Sequence, residues 1–451
     1  MDKLGRLEVE QLKVTSTTPP ADSGLYKIDE TTMGVVGDLK FRHPKTGAMS
    51  SALTVASNSD SGVGNRWDVP GISAAGHVVF SALPILVNHL PATGNTYSRS
   101  AYPALAQRLG RVANGLSAFV ARTSASDNDW RSVCWSPELS LFVAVSNAGV
   151  AGNRVMTSPD GINWTIQSSA SDNNWFSVCW SPELSLFVAV AISGAGKRVM
   201  TSPDGINWTS RTSAADNSWL SVCWSPELSL FAAVSNSGTG NRVMTSPNGI
   251  NWTSRTSAAD NSWLSVCWSP ELSLFVAVAI SGTGNRVMTS PDGITWTART
   301  SAADNSWTSV CWSPELSLFV AVANSGTGNR VMTSPDGVNW TSRTSASDNG
   351  WRTMCWAPSL RLFAAFANSG TGNRVMTSPD GITWTSRTSA ADNFWVGSCW
   401  SPELCMFVTV SYSGTGNRVM TAYGCTYNPI TDFAVPKITP PAGCYAHILA
   451  G

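Results

Sequence analysis

The sequence predicts an all-β chain organised around a seven-bladed β-propeller, on three observations. A 44-residue unit runs seven times from about Asp127 to Met420, marked by the dipeptide Cys-Trp at Cys134-Trp135 and again at Cys179, Cys223, Cys267, Cys311, Cys355 and Cys399. Each copy divides into four strand-sized runs separated by Gly, Pro, Asn and Ser, and a repeat of about 40 to 50 residues carrying several short strands is the pattern of one propeller blade. The last copy lacks its fourth run, while a matching run, SAFVARTSA from Ser117 to Ala125, precedes the first copy. The early strand is therefore expected to complete the seventh blade, bringing residues 117 and 424 side by side and leaving no unpaired edge.

In the third copy, Asp216 to Ala258, the four runs are SWLSVCW, SLFAAVS, NRVMTS and NWTSRTS, divided by SPE, NSGTG and PNG turns. Strand alternation places Trp219, Ser221 and Cys223 on one face of the first run and Leu220, Val222 and Trp224 on the other, so both faces carry apolar bulk, as a blade between two neighbours requires. The turn before the fourth run holds Asp160, Asp204, Asp292, Asp336 and Asp380, with Asn248 in the third copy. A carboxylate there is expected to accept hydrogen bonds from its own turn, with the adjacent Gly at positive φ. Twenty of the 21 tryptophans recur at three equivalent positions of the ring, which points to packing between blades rather than to exposed platforms. Arg154, Arg198, Arg242, Arg286, Arg330, Arg374 and Arg418 recur in the third run, and each is expected to pair with the Glu of its own SPEL turn, such as Glu138 or Glu227. The sixth copy tests that pairing, because its turn, Ala357-Pro358-Ser359-Leu360, has lost the Glu while Arg374 remains.

The chain has 451 residues, 13% of them charged, with 29 basic against 29 acidic. Such a balance supplies no electrostatic footprint for nucleic acid. No signal segment and no run of about 18 apolar residues appears, so synthesis in a cytoplasm without membrane insertion is expected. Of ten cysteines, seven occupy one equivalent blade position and are read as reduced, buried small hydrophobes. Cys405, Cys425 and Cys444 show no metal-ligand spacing, and no metal or cofactor is expected.

The flanks carry a family resemblance. HLPATGNTYSRSAYPALAQRLG, His89 to Gly110, resembles the first half of the phage tail-collar domain at Gly94, Tyr97, Ser98, Arg99, Tyr102, Leu105, Leu109 and Gly110. After the ring, TDFAVPKI, Thr431 to Ile438, is similar to that family's Thr-x-Phe-x-Leu-Pro-Asp segment, with Val435 for Leu and Lys437 for Asp, and CYAHILAG resembles the terminal strand of tail proteins. Leu12 to His43, short strands with Gly and Pro turns, is similar to the attachment ends of tail fibres. The blades resemble repeat arrays of viral structural proteins, and their SPDGxxW turn looks like a shortened Asp-box of sialidase-type propellers. The resemblance implies three parts: a β-rich attachment and oligomerisation segment at 1–70, a discontinuous collar-like domain at 71–116 plus 425–451, and the propeller at 117–424, inserted in a surface loop of the collar. It also implies a homotrimer.

The residues bracketing the first Trp of each copy differ between otherwise near-identical repeats. They include Asp129 and Arg131, Asn174 and Phe176, Leu220, Leu264, Thr308, Arg352, Phe394 and Val396. Strand alternation puts the two brackets on one face, opposite the Trp, where a recognition surface can vary without damage to the blade. The position is either simply exposed and tolerant of change or, chiefly in blades one, two, six and seven, part of a recognition face; on the second reading these ten are the receptor-binding candidates.

The expected function is that of a virion tail-fibre or adhesin subunit, joined through its N-terminal segment to other tail proteins, with the propeller displayed to a host-surface glycan or outer-membrane protein. The alternatives are a purely structural decoration of tail or capsid and, from the Asp-box likeness, a sialidase-like glycan hydrolase. No catalysis is expected: the carboxylates repeat at turns, and only His43, His77, His89 and His447 occur, with no Ser-His-Asp order, phosphate loop or HExxH motif.

Overall fold

The computed structural model describes residues 116–424 throughout and, outside them, only the backbone of short strands at Phe41–Arg42, Met49–Ser50, Val78–Ser81, His89–Pro91, Thr96–Ser98, Asp432–Ala434 and Tyr445–Leu449. Apart from those strands, the expected attachment segment, the remaining collar-motif residues, Cys425 and Cys444 lie outside the described residues.

Seven four-stranded antiparallel sheets make the ring, each in the order first, second, third, fourth strand. In the first blade these are Trp130–Ser136, Leu141–Ser146, Val155–Ser158 and Thr165–Gln167. The first strands touch those of both neighbouring blades and line the axis. The seventh sheet consists of Trp395–Ser401, Met406–Ser411, Val419–Tyr423 and, from the other end of the chain, Val120–Arg122. Val419 stands opposite Arg122 and Thr421 opposite Val120. Arg122 Nε donates to Thr421 Oγ1 at 2.9 Å, the bond that Arg211 makes to Thr201 in the second blade, so the borrowed strand is held as its sibling there is. Ser117 N donates to Tyr423 O at 2.8 Å and Tyr423 N to Ser117 Oγ at 2.8 Å, which ties entry to exit.

The core lies between blades. Val188, Val190 and Val199 of the second blade pack on Trp219, Val222, Trp224, Phe231 and Met244 of the third. The first-strand tryptophans, Trp130 to Trp395, are wholly buried; truncating one to Ala costs about 3–5 kcal/mol.

Polar bonds cross the same boundaries. Val178 N donates to Ser132 Oγ at 3.2 Å, and the contact recurs up to Met354 N on Ser309 Oγ at 3.3 Å. The SPEL glutamates serve the next blade: Trp180 Nε1 donates to Glu138 at 2.7 Å, Trp268 to Glu227 at 2.6 Å and Trp135 to Glu403 at 2.6 Å. This corrects the expected pairing of Arg with the Glu of its own blade. The arginines instead face the Asp of the loop leading into the following blade, Arg154 with Asp172 at 3.7 Å and Arg418 with Asp127 at 3.6 Å. That Asp also accepts from a loop Gly, as Asp216 does from Gly196 N at 2.6 Å. Loss of the sixth-copy Glu leaves its mark elsewhere: Trp400 Nε1 is buried without an acceptor among the described residues.

The SPDG turns behave as the sequence predicts. Asp204 Oδ1 accepts from Ile206 N at 2.9 Å and Asn207 N at 2.8 Å. Burial opposes the charge, yet the bonds from Asn207, Ile206 and Ser202 outweigh it and hold the Asp204 carboxyl at about 2. Asn248 makes the same two backbone bonds, at 3.0 and 2.9 Å, so the turn needs the oxygen rather than the charge. Gly205 has φ +75°, and a Cβ there would stand 2.9 Å from Val143 Cγ2 of the preceding blade, so conformation and space both call for glycine.

The chain divides into two units, residues 113–430 and residues 1–112 with 431–451. In the second unit Tyr445–Leu449 lies between Val78–Ser81 and His89–Pro91, with Val78 opposite Ile448 and His447 opposite Pro91. Thr96–Ser98 pairs with Asp432–Ala434, Tyr97 opposite Phe433, and Phe41–Arg42 pairs with Met49–Ser50.

Candidate functional site

Every first strand is bulged at its start. Trp130 pairs with Ser146 but Ser132 with Val145, so Arg131 is an extra residue without a partner; the same shift recurs in the other six blades. A bulge suspends alternation and re-aims one side chain. The expectation that both brackets of the Trp share one face is corrected accordingly. The residue after the Trp turns to the axis, where Arg131, Phe176, Leu220, Leu264, Thr308, Arg352 and Val396 line a cavity of about 310 Å³ at one end of the channel.

The three candidates that precede a Trp stand apart from that lining. Asp129 Oδ1 is held by Arg418 Nη1 at 3.0 Å, Asn174 Oδ1 accepts from Arg154 Nη1 at 3.2 Å, and the exposed Phe394 lies against Tyr412, ring centroids 5.1 Å apart, with the Arg374 guanidinium 5.5 Å from its ring. Tyr412 also lines the cavity, and the sequence reading missed it. The signal was present: the residue following the second strand reads Asn147, Ile192, Asn236, Ile280, Asn324, Asn368 and Tyr412 around the ring, a second variable position.

The cavity is polarised. Blades six, seven and one contribute Arg352, Tyr412 and Arg131; blades two, three and four contribute Phe176, Leu220 and Leu264. The Arg131 guanidinium sits 4.1 Å above the Tyr412 ring and 5.5 Å from that of Phe176. Asn368, its amide oriented to donate to Gly350 O at 3.0 Å, accepts from Arg352 Nε at 3.0 Å and Nη2 at 3.3 Å. Burial lowers the pKa of both arginines, and for Arg131 the neighbouring Arg352 lowers it further. Thr308 spends its hydroxyl on Trp351 O at 2.7 Å.

Beyond the mouth come Ser132, Ser177, Ser221, Ser265, Ser309 and Thr353, which complete the lining with Gly397 and Ser398. Thr353 and Ser398 hydroxyls bond at 3.0 Å. Gly397 admits the first blade: a Cβ there would lie 2.6 Å from Arg131 O. Further along the first strands the seven equivalent cysteines are free thiols. Burial pushes them all upward, Cys311 to about 12. Among the described residues no three His, Cys, Asp or Glu side chains gather to hold a metal ion.

Strand polarity fixes the faces. The SPEL and SPDG turns share one end of the ring, and the loops before each first strand share the other. The mouth lies at the latter end, and the ring's own ends, Ser117 and Gly424, emerge at the former.

No known family and no curated protein matches this sequence. Among solved structures the chain is similar to a streptogramin B lyase, with a TM-score of 0.56 at 6% identity over 68% of this chain and 97% of that one. It is also similar to the β-propeller domain of Myceliophteria thermophila Cps50 (Swd1), with a TM-score of 0.50 at 10% identity over 68% of this chain and 100% of that one. At such identities the likeness shows the fold alone, a β-propeller.

Proposed function

We propose that this chain is a virion tail-fibre or adhesin subunit whose propeller recognises a glycan or outer-membrane protein on the host surface through the channel-mouth face. One observation carries the reading: among near-identical blades, the residue after each first-strand Trp varies from copy to copy, and all seven of these side chains converge on a single mouth. The residues that hold blade to blade stay nearly the same. The mouth also opens on the face opposite both ends of the ring, the orientation a displayed binding module needs.

The virion assignment rests on the collar resemblance of the flanks, supported by the pairing of Tyr97 with Phe433, which joins the two resembling pieces across the inserted ring. A homotrimer, attached through the N-terminal segment to other tail proteins, would multiply weak contacts. The mouth lining offers two arginines, one tyrosine and hydroxyls but no carboxylate or imidazole, a set suited to holding a ligand more than to acid–base chemistry. A second reading, structural packing against other virion proteins, is favoured by the exposed Ile206, Ile250, Ile294, Val338 and Ile382 of the opposite face.

Adsorption of the full-length protein to a panel of bacterial cells separates the two. Phe176→Ser, Arg352→Ala and Phe394→Ser together are expected to abolish it, and Ile206→Ser, Ile250→Ser and Ile294→Ser together to leave it intact; the reverse pattern would favour the structural reading.

A further inference from the structure

We propose that the channel mouth binds an organic carboxylate with an aryl or short acyl body, its carboxylate between Arg131 and Arg352 and its body against Phe176, Leu220 and Leu264. The inference rests on reading the mouth as the recognition site and narrows what it holds to the apolar, carboxylate-bearing part of a host-surface molecule rather than to bare sugar hydroxyls.

Charge carries the first half. Two guanidiniums of like sign face one cavity whose lining includes no carboxylate. The nearby acid, Asp129, is already engaged by Arg418 at 3.0 Å. Arg131 Nε is buried with no hydrogen-bond acceptor among the described residues, and stacking on Tyr412 holds its plane without satisfying its donors. Arg352 already gives Nε and Nη2 to Asn368, and Asp129 offsets only part of the desolvation of Arg131; an oxyanion in the cavity would answer the remaining guanidinium donors of the pair.

The opposite wall carries the second half. Phe176, Leu220 and Leu264 present no donor or acceptor, and the Thr308 hydroxyl is committed to the backbone. The hydroxyls of Ser132, Ser177, Ser221, Ser265 and Ser309 line the cavity beyond that wall and already accept from the next blade's backbone, so at the wall itself a hydroxyl-rich body finds no partner, whereas an aryl or acyl group gains by burial. The volume, about 310 Å³, lies at the small end of ligand pockets and suits a single small group.

The test is isothermal titration of the full-length protein with phenylacetate, its neutral isostere phenylacetamide, acetate, inorganic phosphate and glucuronate. Phenylacetate is expected to saturate one site per chain and to bind at least tenfold more tightly than any of the other four. Arg131→Ala and Arg352→Ala should each weaken it at least tenfold, with heats of binding that fall as salt rises. If an alanine variant does not fold, Arg131→Gln or Arg352→Gln gives the same reading with the stem retained. Absence of phenylacetate binding, equal binding of phenylacetamide, tighter binding of glucuronate or indifference to the arginine variants would each overturn the proposal. Loss of cell adsorption in the mouth variants without phenylacetate binding refutes the ligand class alone. Phenylacetate binding with adsorption untouched upholds the ligand class and refutes the recognition role.

Discussion

Ser359→Glu should stabilise the protein, because the sixth blade lacks the acceptor that every other SPEL turn gives to the next blade's tryptophan. Trp400 Nε1 is buried with no acceptor among the described residues, a state worth about 1–3 kcal/mol of lost stability. The backbone is ready for the missing side chain. The turn at Pro358–Leu360 ends on Arg361 at φ 48°, ψ 53°, and the Glu-bearing turn at Pro314–Leu316 ends on Ser317 at φ 47°, ψ 52°. In that second turn Glu315 reaches Trp356 Nε1 at 2.6 Å. A hydrogen bond to a charged acceptor contributes about 1.5–3 kcal/mol, and ordering one glutamate costs up to about 2 kcal/mol, leaving a net gain of about 1 kcal/mol. The converse, Glu227→Ala, strands Trp268 and should cost about 1–3 kcal/mol. Urea unfolding of the full-length proteins at pH 7 reads both as midpoint shifts at constant slope. If Ser359→Glu leaves the midpoint unchanged and Glu227→Ala does the same, the Glu–Trp bond is not a stabilising joint between blades and the reasoning fails.

Three further outcomes follow from the same structure. Gly397→Ala should cost at least about 2 kcal/mol by thermal unfolding, because its Cβ would meet Arg131 O at 2.6 Å and Ser132 Cα at 2.7 Å, backbone that cannot swing aside; a neutral substitution would contradict the tight closure of blades seven and one. Asp204 is held at about 2, below its ordinary 3.8, so the stability it contributes is full above about pH 4 and lost as pH falls toward 2. Asp204→Asn, copying Asn248, should change the pH 7 midpoint little and flatten that acid loss, and an unchanged acid profile would refute the assignment. The seven equivalent thiols are half-buried along the first strands and their pKa is raised by desolvation, so they should react with iodoacetamide at pH 8 far more slowly in the folded protein than once it is unfolded, as read by peptide mass spectrometry; equal labelling in the two states contradicts the raised pKa.

The ring was legible because its period, turn residues and orphan strand all point the same way. Partners across blades were not. In an array of near-identical copies, a residue pairs equally well on paper with a site in its own copy or in the next. Thus Arg242 was matched to Glu227 when it faces Asp260 at 3.6 Å and Glu227 holds Trp268. The variable residues after each first Trp were visible as departures between copies, but not the bulge that turns them to the axis, since one extra residue leaves no mark on composition. Tyr412 escaped because its position follows the second strand, and only the closed ring brings it beside Arg131.

The most direct measurement is hydrogen–deuterium exchange of the full-length protein with and without envelope fragments from cells that adsorb it. The account predicts added protection in the loops around the mouth, Asp127–Trp130, Asn349–Trp351 and Tyr412–Asn417. Protection confined to the SPEL and SPDG turns, with the mouth unchanged, would contradict it.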